Sequence, residues 1–164
     1  MRLLAVDPGL QTGVTLGWYD DTTPYQLLER WQIGGGLTGF IDWVRKNGWP
    51  QLVDKIVVEK FVARRNDFVA DIAGVPIEGV IAWLAREHGQ EVHWQTRTDK
   101  GRLTPYPKEA NTLTRRQRVR FDFLKRFGLF APGTQNDDSN DCITHSLVYL
   151  KRTRHEPTLR HYFS

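Results

Sequence analysis

The chain has 164 residues, 40% of them hydrophobic and 12% aromatic, and a formal charge of +4. A single domain of this length buries roughly 70% of the surface its unfolded form exposes, so a genuine core is within reach. Composition excludes a membrane span, since no apolar run approaches the ~20 residues one requires, and excludes an internal disulfide, since Cys142 is the only cysteine.

Residues 3–6 form a short apolar run that stops at Asp7-Pro8-Gly9, where proline removes an amide donor and glycine permits a turn; a first strand ends there. Residues 13–19 and 26–33 read as two further strands of an antiparallel meander, joined through Asp20-Asp21-Thr22-Thr23-Pro24. Leu37, Phe40, Ile41 and Val44 follow at helical spacing, and Asn47-Gly48 supplies a left-handed stop. Lys55-Ile56-Val57-Val58-Glu59 is β-branched without alternation, as a central strand covered on both faces should be, and it closes on an acid. Residues 67–88 carry a helical pattern that Gly74-Val75-Pro76 kinks or splits.

Residues 91–95 are a short strand, and residues 97–111, charged and holding Pro105 and Pro107, read as a mobile loop. Thr114-Arg115-Arg116-Gln117 opens the next helix as a capping box, with Val119, Phe123, Leu124 and Phe127 toward the core and Gly128 ending it. Residues 138–151 form a last helix, begun by acids that suit its positive dipole end. The expectation is an α/β domain over residues 1–152, a mixed five-stranded sheet flanked by helices, followed by a basic tail at 153–164. The start of the chain does not read as a signal peptide and one thiol suits a reducing compartment, so a cytoplasmic protein is expected.

Charge is segregated. Residues 97–126 hold ten Lys or Arg against Asp99, Glu109 and Asp122, and the last residues are basic too, so the remainder is net acidic. A basic face beside an acidic pocket suits a metal-using enzyme with a polyanionic substrate; a merely solvated surface is the competing explanation. Asp7 and Glu59 end two strands that emerge together if those strands are neighbours. Asp7 alone reads first as a turn residue before Pro8-Gly9, whereas Glu59 follows four apolar residues and is costly to bury unless paired or metal-bound. In Asp137-Asp138-Ser139-Asn140-Asp141-Cys142-Ile143-Thr144-His145, the side chains of Asp138, Asp141 and His145 share a helical sector of about 60°. That stripe is either a ligand row or a solvated face opposite Ile143, Leu147 and Leu150, and His145 is either a ligand or a satisfied histidine. Four convergent acids raise one another's pKa unless a cation intervenes. All-oxygen ligation favours Mg2+, with Mn2+ as a substitute, and the matching reaction is phosphodiester hydrolysis.

Leu4-Ala5-Val6-Asp7-Pro8-Gly9-Leu10 with Thr12-Gly13, Val57-Val58-Glu59, and Asp138-Ser139-Asn140-Asp141 resemble, in order and spacing, the three acidic motifs of the RuvC-family Holliday junction resolvases. Asp137 and His145 are similar to what phage-type members carry. The resemblance implies a ribonuclease H-like fold, a homodimer, Mg2+-dependent paired nicking of branched DNA, and catalytic metal ligands at Asp7, Glu59, Asp138 and Asp141, with His145 an alternative to Asp138. It implies the cytoplasm of a bacterial or phage-infected cell. It implies a basic group near the start of the third helix, here Arg116, which either neutralises phosphate charge or is a generic contact, and an aromatic wedge, Phe61 or Phe68. The expected DNA-contacting residues are Phe61, Arg64, Arg65, Arg97, Lys100, Arg102, Lys108, Arg115, Arg116 and Arg118. An actin-like ATPase is set aside on length, since it needs two such domains. A flap or fork endonuclease and a non-catalytic branch binder remain as rivals.

Overall fold

A computed structural model describes residues 1–49, 53–62 and 71–164. The central strand is β1 (Arg2–Asp7), paired antiparallel with β2 (Thr12–Trp18) and parallel with β4 (Lys55–Lys60). Outside these lie β3 (Gln26–Ile33), antiparallel to β2, and β5 (Val92–Thr96), parallel to β4, giving the order β3-β2-β1-β4-β5. Because β1 and β4 are parallel neighbours, Asp7 and Glu59 leave the sheet at the same edge.

Helices cover both faces. Alternation along β1 and β4 sends Leu4, Val6, Ile56 and Val58 into a core shared with α1 (Gly36–Asn47) and α2 (Val75–Glu87). The alternate residues Leu3, Ala5 and Val57 meet α3 (Leu113–Arg126) and α4 (Asp137–Arg152) on the other face. The strands are therefore apolar on both sides, which is why they lack a period of two. Gly48 stands at φ 71° after α1. Pro76 sits in the first turn of α2, where its missing N–H leaves nothing unpaired; the interruption at 74–76 is thus a helix start preceded by a 3₁₀ turn at 71–74.

Three local expectations change. The 97–111 segment begins as a 3₁₀ helix, Arg97–Arg102, whose Thr96 and Asp99 form a reciprocal capping box, and Leu103 and Ala110 are buried. The cap of α3 is Thr112, which accepts the Arg115 N–H, rather than Thr114; Phe121 is buried where Val119, Phe123 and Phe127 are only half-buried. The last residues form a further helix, α5 (Glu156–Phe163), docked by Tyr162 donating to the Tyr25 carbonyl at 2.7 Å and Thr158 accepting the Tyr25 N–H at 3.0 Å. Among the described residues no helix is long and apolar enough to cross a membrane.

Candidate functional site

The strand ends and α4 build one acidic cavity of about 520 Å³, lined by Asp7, Glu59, Asp137, Asp138 and Asp141, with Phe61 at its wall. Helix α4 reaches it because β2 offers no side chain at Gly13: a Cβ there would stand 2.3 Å from the Asp138 carbonyl carbon. The helix start therefore lies directly on the sheet, and α4 is buried from Ser139 to Leu150. The stripe of Asp138, Asp141 and His145 is thus no solvated face.

At the centre is Lys100. Its ammonium lies 3.0 Å from Asp7 Oδ2, 2.5 Å from Glu59 Oε2 and 2.6 Å from Asp141 Oδ2. This corrects the expectation that Lys100 is a phosphate-contacting residue of a mobile loop, because the capped 3₁₀ turn aims it inward and buries it to 5% exposure. Arg120 on α3 donates to Asp141 Oδ1 at 3.1 Å and to the Tyr106 hydroxyl at 3.2 Å. Arg116, the basic residue expected near the acids, is instead exposed, donating Nε–H to the Ala110 carbonyl at 3.1 Å with its guanidinium over the Tyr106 ring. The guanidinium that touches an acid lies one turn further along, and only packing distinguishes the two.

His145 is fully buried, Nε2 2.9 Å from Glu59 Oε2 and Nδ1 2.7 Å from Gln95 Oε1. The ring lies against Glu59 and Gln95 and is not among the side chains that line the cavity. Asp138 does line it, with Oδ2 accepting from Gln32 Nε2 at 2.5 Å.

The electrostatics divide the acids. Burial pushes Asp7 well above the ordinary carboxylate range, Lys100 only partly opposing it while Glu59, Asp141 and Asp138 add to the rise. Burial also raises Asp138 and Asp137. For Glu59 and Asp141 burial acts in the same direction, but Lys100 outweighs it with help from His145 on Glu59 and Arg120 on Asp141, and both fall below the ordinary range. Lys100 is raised well above its usual value by the three carboxylates despite burial. One ammonium thus leaves part of the acidic charge uncompensated.

As they stand, no three His, Cys, Asp or Glu side chains among the described residues are placed to hold a metal ion. The donor chemistry nevertheless fits a hard divalent cation. Carboxylate oxygens from β1, β4 and α4 already share one cationic point, which Lys100 fills, and the surplus of buried negative charge favours further cations.

A second cavity, about 420 Å³, adjoins the first through Arg97, Thr98, Lys100, Gln117 and Asp141 and is lined also by Tyr106, Arg116 and Arg120. Arg97 lines both cavities, and Arg102, Lys108, Arg115 and Arg118 are exposed. Arg115 donates to the Glu109 carbonyl, and Arg102 pairs with Asp99. Phe61 is half-buried, its N–H held by Glu78 Oε1 at 2.6 Å. Arg64, Arg65 and Phe68 lie outside the described residues. Sequence reasoning missed Gln32, Gln95, Arg120 and the inward course of Lys100; only the last had a local signal, the Thr96-x-x-Asp99 cap.

No family model and no curated protein matches the chain. Solved structures do. Thermus thermophilus RuvC in complex with a Holliday junction substrate aligns over 96% of this chain and 98% of its own, with a TM-score of 0.65 and 14% identity. The fowlpox virus Holliday junction resolvase aligns over 93% and 99%, with a TM-score of 0.66 and 15% identity. With its mixed sheet, flanking helices and overlap along nearly the whole length of both, the chain has the ribonuclease H-like fold of the RuvC and poxvirus Holliday junction resolvases.

Proposed function

We propose that the protein is a divalent-metal-dependent, structure-selective endonuclease that cuts Holliday junctions and other branched DNA, acting in the cytoplasm as a homodimer that makes paired symmetric nicks. The observation that carries this reading is the meeting of Asp7, Glu59 and Asp141, from three separate elements, within 3.0 Å of one cation. Buried like charges gathered at a sheet edge are costly, and a fold keeps them where their charge is used. Two of the solved structures with this fold hold Holliday junction DNA.

Asp7, Glu59, Asp138 and Asp141 are the residues that would hold Mg2+, with Mn2+ as a substitute. When bound, the metal supplies Lewis-acid stabilisation of phosphate charge and a water of lowered pKa. Arg120 keeps one oxygen of Asp141 occupied and leaves the other facing the shared centre. His145 fixes Glu59, so the carboxylate does not have to be ordered during the reaction. Lys100 neutralises the acids in the resting protein. Arg97, Arg102, Lys108, Arg115, Arg116 and Arg118, joined by Arg64 and Arg65, grip the DNA backbone, so affinity falls steeply with salt. Phe61, at the wall of the acidic cavity, is the candidate wedge at the branch point.

The position of Lys100 favours a second reading, a branched-DNA-binding protein in which the ion-pair cluster is structural and nothing is cut. A four-way junction, a flap and a plain duplex incubated with the protein, with and without Mg2+, separate the two. The nuclease reading expects symmetric nicks in the junction, none in EDTA, and roughly 10³-fold slower cleavage by Asp7→Asn with junction binding retained. A protein that binds junctions but leaves them intact in both Mg2+ and Mn2+ is the structural binder.

A further inference from the structure

Helix α4 begins without a cap of its own: Asn136, at the capping position, makes no side-chain hydrogen bond to it. The first N–H groups of a helix need an acceptor, and buried ones need it most. The Ser139 N–H is served from β3, 107 positions earlier, by Gln32 Oε1 at 3.1 Å. The other end of the same amide donates to Asp138 Oδ2 at 2.5 Å. The two partners leave no choice of orientation, since a backbone N–H can only donate and an ionised carboxylate can only accept. Gly13, on the neighbouring strand and opposite Gln32 in the ladder, brings the helix backbone close enough for both bonds.

We propose that Gln32 is a positioning residue for the acidic site, its amide capping α4 from across the sheet while holding the Asp138 carboxylate so that Oδ1 is the oxygen offered to the cavity. Asp138 is the one proposed ligand without a bond to Lys100 or Arg120, so its aim depends on Gln32 as that of Asp141 depends on those two cations. Among the described residues Gln32 gives the Asp138 carboxylate its side-chain hydrogen bond, which opposes rotation about the Asp138 side-chain bonds. The inference deepens the metal-dependent nuclease reading and rests on it.

Two substitutions separate capping from aiming. Gln32→Glu keeps an acceptor for the Ser139 N–H but replaces the donor to Asp138 with a repelling carboxylate, whereas Gln32→Leu removes both. Each is made alone and in an Asp138→Asn background, with unfolding midpoints, Mn2+ affinity by calorimetry without DNA, and junction-cleavage kcat and KM measured for all. Gln32→Leu is expected to weaken Mn2+ binding about fivefold and lower kcat about tenfold with KM for the junction unchanged, and to add nothing further to Asp138→Asn, because the aimed carboxylate is already gone. Gln32→Glu should regain the unfolding midpoint that Gln32→Leu loses and yet remain slow. Full recovery of kcat by Gln32→Glu, or losses that add to those of Asp138→Asn, would reduce Gln32 to a helix cap and overturn the inference. An unaltered protein that binds no Mn2+ and cuts no junction overturns the nuclease reading and this inference together. Binding of Mn2+ with additive losses overturns this inference alone.

Discussion

The two ends of the sheet treat the same residue type in opposite ways. At one end Asp20 turns back on its own loop, its Oδ1 accepting N–H groups of Thr22 and Thr23 at 2.8 Å, and Asp54 accepts the Arg2 N–H at 2.6 Å. Backbone donors satisfy these acids, and Asp20 is held down to about 2 by its Thr22 backbone and side-chain bonds. At the other end Asp7 and Glu59 are half-buried and Asp141 is buried; among the described residues no backbone N–H donates to any of the three, and all of them bond to Lys100. Acids at the first end are finished by folding; acids at the second need a cation that folding supplies from a distant segment. The proposed function draws on that dependence, since a cation held by side-chain charge alone can be exchanged for another.

The largest difference between the ends should appear on removing Lys100. Lys100→Met leaves Asp7, Glu59 and Asp141 without the cation they share and is expected to lower stability by about 3–5 kcal/mol in EDTA. Mg2+ or Mn2+ should restore much of this loss, measured by urea unfolding with and without metal. Asp20→Asn should change stability far less and show no metal dependence.

Acid sharpens the contrast next. Glu59 and Asp141 have folded pKa values below their unfolded ones, so their contribution is full above the unfolded range near 4 and is lost as pH falls through the folded values. Asp20 acts with the same sign, between about 4 and about 2. Asp7 runs the other way, because its raised folded pKa means that protonation relieves the fold. In Lys100→Met the depression of Glu59 and Asp141 disappears, so lowering pH from 7 to 5 should raise stability rather than leave it level, as read from urea midpoints across that range. An unchanged pH profile would show that Lys100 is not what holds those two carboxylates ionised.

The smallest effect concerns the exposed basic side. Arg115→Ala and Arg118→Ala should each weaken junction binding by several-fold and reduce the slope of log affinity against log salt by about 1, without changing cleavage once the protein is saturated. Filter-binding or anisotropy titrations at several salt concentrations provide the check.

Legibility followed the same division. Asp7, Glu59, Asp138 and Asp141 were readable because strand ends and a 100° helical step are local properties of the sequence, and the sheet then assembled them. Lys100 was not, because a lysine in a charged run looks solvated until the Thr96–Asp99 cap turns its segment inward. Gln32 and Arg120 were hidden for a different reason. Nothing near them in sequence announces a partner, since each bonds to α4 across the fold, 106 and 21 positions away respectively. The element sequence and the mixed sheet were legible from hydrophobic pattern, whereas α5 was read only as a basic tail; its anchoring depends on Tyr25, 137 positions from Tyr162. His145 was placed on one stripe with Asp138 and Asp141 by period, and its ring is fully buried against Glu59 and Gln95.

A crystal of the protein soaked in Mn2+ and measured for anomalous scattering tests the central claim most directly. An anomalous peak is expected among Asp7, Glu59 and Asp141, with the Lys100 ammonium moved off its present position. No peak there at saturating Mn2+, with Lys100 still bound to all three carboxylates, would contradict it.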